Sequence, residues 1–376
     1  MRRPPLVVVS GLLAVAFLAG VARADDYVTL RGAYYREPST RVIQPTVEVE
    51  RDDDSGVDVK AHFLVDTITS ASVSAGTAAD TIFTETRNEV GLSVRKRWSR
   101  SEIGLGYKYS AESDYWSHAV GVSASQRFWG DTARVGVSLG LNFDTVASRF
   151  RTPACATPPS TACSLDGRFV GVNYTQILSP DLLAQVSAEA TYLDGFQGNL
   201  YRSVPNFGYE VVPDKRLRAA LAGRVAYYVA ATDTSLRLAY RYYTDFGPGD
   251  RGADDPWRIQ SHMVEGRVYQ PLTRTLEVRL SYRQYFQSRA QFWCDALGRP
   301  GCYPPAALYY STDPKLGAVR TEYPEVKLLW TAEALTDIPV AGWLAAGTFD
   351  ISYGRYFQNT SFGNAHVLQL GYTMPY

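Results

Sequence analysis

The four cysteines are the residues whose spacing most directly suggests chemistry. They form two pairs, Cys155 with Cys163 and Cys294 with Cys302, and each pair is separated by eight positions. A metal or redox site would require CxxC spacing or a neighbouring histidine, and neither segment contains one. Of the three possible pairings, the local one is the simplest. We therefore expect two structural disulfides, which form in an oxidising compartment outside the cytoplasm.

The four histidines are the next candidates for catalysis or metal binding. His62 falls on a polar face, His118 and His366 fall among alternating apolar residues, and His262 lies where the phase is ambiguous. No two of them have a metal-ligand spacing, and the GxSxG, HExxH and phosphate-loop motifs are absent from the sequence. An active site assembled from distant segments stays open, but the sequence predicts a protein without enzymatic activity, metal or cofactor.

The elements that would position these residues are extended strands. From Ala133 to Asp144, apolar side chains alternate strictly with polar or small ones, and this period of two is typical of a strand with one apolar face. The pattern predicts sixteen strands, at 27–36, 41–51, 56–67, 85–98, 101–112, 115–128, 132–145, 167–178, 182–194, 215–229, 233–246, 257–270, 274–287, 317–331, 344–357 and 362–376.

The lengths of the strands and of their connections favour a transmembrane barrel. Connections alternate between short turns and long loops, as in antiparallel outer-membrane barrels, which have an even number of strands. The strands are also longer than the ~5–6 residues usual in soluble propellers and sandwiches, which are the alternative folds, and they fit the ~9–11 residues of a membrane crossing. The predicted fold is all-β, a transmembrane antiparallel β-barrel of about 16 strands.

Both ends of the chain agree with a secreted barrel. Arg2 and Arg3 precede an apolar run that ends at Ala22-Arg23-Ala24, so residues 1–24 are predicted to be a cleaved signal peptide and 25–376 the mature barrel. Cleavage would remove three of 38 basic residues and no acidic one, leaving a mildly acidic protein unsuited to nucleic acid. The last segment ends in alternating apolar and aromatic side chains, predicted to be the signal read by the barrel assembly machinery: Leu368, Leu370, Tyr372, Met374 and Tyr376.

Several strings also match a known bacterial pattern. They include Tyr34 to Glu37 with Thr40 to Pro45, Gly198 to Arg202, Tyr240 to Asp245, Gln287 to Phe292 and Ser311 to Asp313. In these strings the chain resembles domain-of-unknown-function family 3570, a bacterial family of outer-membrane β-barrel proteins. Leu200 and Gln291 depart from it, at positions where proline and aspartate are expected. The resemblance implies a fold and a location, and it brings no activity or functional residues.

Charged residues on the polar phase predict what the barrel encloses. Such charges are costly toward lipid, so we expect them to face a central space, including Arg355 and Asp350 near the end of the chain. Seven arginines form a predicted basic wall of the lumen: Arg216, Arg218, Arg224, Arg237, Arg241, Arg279 and Arg283. Because about sixteen strands leave an aqueous interior, the sequence predicts a porin-like channel for small polar or anionic solutes, with loop 288–316 as a constriction.

Ion pairs among these charges could instead close the lumen. The alternative is therefore a non-conducting barrel for adhesion or scaffolding that displays disulfide-clipped loops. Either protein would be exported through the periplasm to the outer membrane of a Gram-negative bacterium, with membrane lipid and the assembly machinery as its partners.

Overall fold

The computed structural model describes residues 26–70, 83–147, 155–156, 160–199, 203–204, 207–247, 255–295 and 307–376. The predicted signal peptide lies outside these residues. Eighteen strands occur in the described part of the chain, in the order β1 (Tyr27–Arg36), β2 (Thr40–Asp52), β3 (Val57–Ser70), β4 (Phe83–Arg97), β5 (Ser101–Ala111), β6 (Tyr115–Phe128), β7 (Ala133–Val146), β8 (Cys163–Ser179), β9 (Leu182–Gly195), β10 (Ser203–Val204), β11 (Gly208–Tyr209), β12 (Lys215–Val229), β13 (Thr234–Phe246), β14 (Gln260–Pro271), β15 (Leu276–Gln287), β16 (Val319–Thr331), β17 (Thr348–Gln358) and β18 (Ala365–Pro375). Short 3-10 turns lie at Pro314–Leu316, Ala332–Leu335 and Gly342–Leu344.

Sixteen of these strands form one closed antiparallel barrel, which confirms the predicted fold. Each strand pairs with its neighbour along the chain, and β1 pairs with β18 from Tyr27↔Pro375 to Arg36↔His366 to close the cylinder. The strands β10 and β11 form a separate two-stranded hairpin between β9 and β12. Among the described residues, no helix is long and apolar enough to cross a membrane.

The side chains alternate between an outer and an inner face. On β7, Val137, Leu139 and Leu141 are 40%, 55% and 48% exposed, although all three are large and apolar. The strand register carries this phase around the barrel, so that exposed apolar side chains form a continuous outer belt. A belt of this extent is typical of a surface that contacts hydrocarbon. The alternate positions of the same strands face the lumen.

The two ends of the barrel differ. The turn end carries Tyr27, Tyr376 and most of the short turns, whereas the loop end carries the long connections. Exposed aromatic residues cluster at the turn end, where Trp98, Trp129 and Trp343 are 50%, 71% and 69% exposed. Amphipathic aromatic rings at this level are typical of a membrane interface.

Three of the four histidines lie on the outer face near the loop end, each beside a tyrosine hydroxyl. The hydroxyl groups of Tyr107, Tyr240 and Tyr353 lie 2.7–2.8 Å from the Nδ1 atoms of histidines 118, 262 and 366, respectively. This confirms the prediction that His118 and His366 share the apolar phase. It also shows that His262, whose phase was ambiguous in the sequence, faces outward. The fourth, His62, faces the lumen, with its Nε2 3.2 Å from Glu89.

One predicted orientation is wrong. Arg355 pairs in register with His366 and shares the phase of Ile351 and Tyr353, so it lies on the outer face. It lies near the loop end of β17, where its guanidinium is 4.9 Å from the ring centre of the exposed Phe357, and a charged side chain there can reach the membrane surface. Asp350, on the alternate phase, faces the lumen as expected. It forms an ion pair with Lys327, whose Nζ lies 2.7 Å from Asp350 Oδ1.

Candidate functional site: the barrel lumen

The inner faces of β12, β13, β14 and β15 form a basic wall. All seven arginines predicted from the sequence face the lumen here, and Arg267 on β14 adds an eighth. Only three carboxylates share these four inner faces, which leaves a net charge of +5 from eight arginines and three acids. The acids are Asp245, Glu265 and Glu277.

Part of this basic wall is neutralised by ion pairs. Arg216 donates from Nε to Asp245 at 2.7 Å, and Asp245 is only 1% exposed. Arg241 pairs with Glu189 on β9, reaching across the inner face of β12. Arg279 and Arg267 pair with Glu277 and Glu265, each two positions away on the same strand. These ion pairs hold the arginine side chains in place and cancel their charges, so these four arginines add little net charge to the lumen.

The other four arginines of the basic wall have no carboxylate within 4.0 Å among the described residues. Arg224 and Arg237 are exposed to the lumen, and the guanidinium of Arg237 lies 4.2 Å from the ring centre of Tyr269. Arg283 lies 5.1 Å from the ring centre of Tyr323, and Arg218 is half-buried. Arg224 and Arg237 are therefore the positive charges most available to a solute in the lumen.

The opposite side of the barrel is acidic. The strands β2, β3, β4 and β5 lie half a turn away from β12–β15 in the strand order. Their inner faces carry eight carboxylates and five basic residues, a net charge of −3. Most of these acids form ion pairs. For example, Lys60 pairs with Glu48 at 2.7 Å, and Arg134 on β7 pairs with Glu102 at 3.0 Å. The lumen is thus polarised across its width, with a net positive charge on the basic wall and a net negative charge on the wall opposite.

Between the two walls, the inner faces of β6–β9 are rich in glycine and serine, and we call them, with the adjoining Gly104 and Gly106 of β5, the small wall. Three cavities lie along this small wall, in succession from the loop end toward the turn end. Their volumes are about 710, 360 and 200 Å³. The first two share Gly106, Gly121 and Gly140, and the last two share Ser123 and Ser138. Small side chains leave this space unfilled, so the cavities trace a path along the barrel.

Residues from the β13–β14 and β15–β16 connections pack together at the loop end of the basic wall. This loop core consists of Trp257, Ile259, Ala290, Phe292 and Tyr309. Trp257 is 1% exposed and donates from Nε1 to the Lys215 carbonyl at 2.9 Å, while the Arg216 guanidinium lies 4.0 Å from its ring centre. The inward-facing Tyr243 also packs against the core. The described part of the predicted constriction, loop 288–316, therefore lies against the inner wall at the mouth.

An acidic cluster lies at the loop end of the acidic wall. Single carboxylate oxygens of Glu85, Glu112 and Asp114 lie within 4.8 Å of one another. Burial raises the pKa of Glu112, with further contributions from the neighbouring Asp114 and Glu85 and an opposing one from Arg87. Three carboxylates can ligate a hard cation, but their proximity alone does not identify a metal site.

The disulfide predicted between Cys155 and Cys163 is confirmed, with its Cα atoms 5.7 Å apart at the start of β8. Cys294 is also disulfide-bonded and lies beside the loop core, where it is 3% exposed. Cys302 lies outside the described residues.

Comparison with known proteins places the chain in a family. A family model described as protein of unknown function (DUF3570) matches residues 70–162 and 167–340, most of the chain. The chain belongs to the DUF3570 family. No curated protein sequence matches it.

Solved structures support the fold of this DUF3570 protein. A bacterial polysaccharide outer membrane secretin has a TM-score of 0.53 at 10% identity, over 93% of this chain and 98% of its own. CdiB from Acinetobacter baumannii has a TM-score of 0.52 at 8% identity, over 94% of this chain and 61% of its own. A BenF-like porin from Pseudomonas fluorescens Pf-5 covers 95% of the chain and 100% of its own at 8% identity, with a TM-score of 0.47 that is too low for inference. The DUF3570 protein thus has the fold of outer-membrane barrels.

Two features of the DUF3570 lumen lay beyond sequence reasoning, and a third was missed. The loop core joins residues from separate loops that have no periodic pattern, and the ion pair of Arg241 with Glu189 skips a strand. The polarity across the lumen was detectable in principle, because counting charges on the polar phase strand by strand gives the acidic wall as well as the basic one.

Proposed function

We propose that this protein is a porin-like channel of the Gram-negative outer membrane, which passes small polar solutes and prefers anions. The observation that carries the proposal is the succession of cavities along the small wall, which share lining residues from the loop end toward the turn end. A sixteen-stranded barrel also has an interior wider than side chains ordinarily fill. The proposal includes no catalytic step and no cofactor.

The preference for anions follows from which charges are free. Arg224 and Arg237 face the lumen without a carboxylate within 4.0 Å among the described residues, whereas acids of the opposite wall such as Glu48 and Glu102 are paired. Unpaired arginines that line a pore favour anions. Paired acids exert a weaker field on a passing ion because their partners lie within a few ångströms.

The proposal also covers the route to the membrane. We infer export through the periplasm after signal cleavage, followed by insertion by the barrel assembly machinery. Support comes from the outer face of β18, where Leu368 and Leu370 are exposed in phase with Tyr372 and Met374, as an assembly signal requires.

Single-channel recording of the purified protein in a planar bilayer tests the channel. We expect discrete conductance steps and, in a salt gradient, a reversal potential of the sign for anions. Absence of conductance from a correctly folded barrel, or a cation preference, would contradict the proposal.

The loop core favours a second candidate, a non-conducting barrel that displays its loops to an external partner. Trp257 and Phe292 pack edge to face, with ring centres 5.1 Å apart, and fix a rigid surface at the mouth. A liposome-swelling assay with small neutral sugars separates the two functions, since only an open lumen admits the sugar and swells the vesicle.

A further inference from the structure

The outer face carries a cluster of basic side chains at the loop end of the β1–β18 seam. Arg36 on β1 lies directly opposite Arg41 on β2 and His366 on β18. His366 in turn lies opposite Arg355 on β17. The four residues occupy one row across four strands, all four are exposed, and we call them the outer basic row.

Like the four unpaired arginines of the basic wall, the arginines of this row lack the carboxylate partners that most lumen charges have among the described residues. No carboxylate lies within 4.0 Å of Arg36, Arg41 or Arg355 among the residues that the structure describes. Directly opposite residues in antiparallel strands have Cβ atoms ~4.5–5.5 Å apart, and like charges at that distance destabilise the pair. An anion that contacts several guanidinium groups would remove this repulsion.

The rest of the loop-end rim shows that this imbalance is local. On the other side of the barrel, Arg168 and Lys215 also face outward, but Asp166 and Asp194 lie on the same face, and Lys215 is directly opposite Asp194. That region is electrically balanced. The outer basic row is therefore a feature of the seam and not of the rim in general.

The surface below the row is apolar. On the same outward phase, one step closer to the middle of the barrel, Ile43, Tyr353 and Leu368 are 47%, 45% and 36% exposed. The hydroxyl group of Tyr353 holds the Nδ1 atom of His366 at 2.7 Å, which fixes the imidazole beside this apolar patch. An amphiphilic ligand on this surface would place its polar headgroup against the cations and its hydrocarbon chain against the apolar side chains.

We propose that the outer basic row binds the phosphorylated headgroup of an outer-leaflet lipid, whose acyl chains lie on the apolar side chains below it. Guanidinium groups recognise phosphate through paired N–H donors, and several around one phosphate give a selective site. Basic clusters at a membrane surface bind anionic lipid headgroups in the same way. The ligand is an amphiphile, because a free phosphate would use only the upper half of this surface.

Lipid retention by the purified barrel tests the proposal. The protein is incorporated in phosphatidylcholine nanodiscs with a small fraction of lipid A as the phosphorylated probe, and bound lipid is counted by native mass spectrometry. The test variant combines Arg36→Gln, Arg41→Gln and Arg355→Gln. The matched control combines Arg168→Gln and Lys215→Gln, which also removes rim charge. Heat-dependent gel mobility verifies that each variant is folded.

We expect wild type and control to retain lipid A and the test variant to bind it on the order of 100-fold more weakly, from three lost cationic contacts at a membrane surface. Equal retention by test variant and control would overturn the proposal, as would no selective retention by wild type. Displacement of lipid A by excess inorganic phosphate at equal affinity would also overturn it, since the site would then recognise free phosphate.

Discussion

Reversing the two exposed lumen arginines should reverse much of the ionic preference of the proposed channel. Arg224 and Arg237 are exposed on the basic wall and have no ion-pair partner among the described residues. The double variant Arg224→Glu with Arg237→Glu changes the charge of this wall by four units. Because neither guanidinium holds another strand in place through a carboxylate, the barrel should remain folded.

The size of the effect follows from Coulomb's law. A unit charge at ~10 Å from an ion in water contributes about 0.4 kcal/mol, and screening at ~0.1 M salt lowers this to about 0.15 kcal/mol. Four units give about 0.6 kcal/mol, with opposite signs for anion and cation, so the anion-to-cation permeability ratio should fall about eightfold. The assay is the reversal potential of single channels in a potassium chloride gradient.

The control keeps the net charge unchanged. Glu277→Gln with Arg279→Gln removes one ion pair from the same wall, and it should leave the permeability ratio near that of wild type. An unchanged ratio in the charge-reversed protein, or an equal shift in the control, would refute the assignment of selectivity to these free charges.

Three further predictions concern the loop end. Replacing Cys155 and Cys163 by serine should lower the stability of the loop by about 2–3 kcal/mol in the chain-entropy model. The measurement is hydrogen exchange at the start of β8, which should become faster. Exchange as slow as in wild type would contradict a stapling role. Trp257→Ala should cost about 3–5 kcal/mol in the loop core, and protease should then cleave within residues 255–259 or 288–295 while the barrel strands stay intact. The raised pKa of Glu112 means that folding favours its protonated form, so its contribution to stability is complete below the unfolded pKa and is lost as pH rises through the folded pKa. Glu112→Gln should therefore raise the melting temperature at neutral pH and leave it unchanged in acid; a lower value at neutral pH would contradict this.

The barrel itself could be predicted because its rule is local. A strand in a membrane barrel presents alternate residues to hydrocarbon and to the lumen, so Val137, Leu139 and Leu141 report their own orientation without knowledge of any partner. The same rule placed all seven predicted arginines on the inner face. It failed for Arg355, because a charge within reach of the membrane surface does not have to face the lumen.

The contacts that give the lumen its character depend on distances between strands far apart in sequence. Arg241 reaches Glu189 only because Ala220 and Ala222 on the intervening strand are small enough to let it pass. Trp257 and Phe292 meet only because the barrel brings their loops to one mouth. Neither fact has a signature in linear spacing.

The pairing of β1 with β18 has a consequence for biogenesis. The ten register positions between them join the first and last strands, so the cylinder cannot be sealed until the whole polypeptide has been delivered. Until then two strands present unpaired amide and carbonyl groups, which attract other chains. Asp26, fully buried, accepts from the amide of Asp52 at 3.1 Å while its own carbonyl accepts from Tyr376, and so it fastens the junction at its base. A nascent copy that lacks its final strand therefore keeps an open sheet edge, and completion of the seam is the step that removes it.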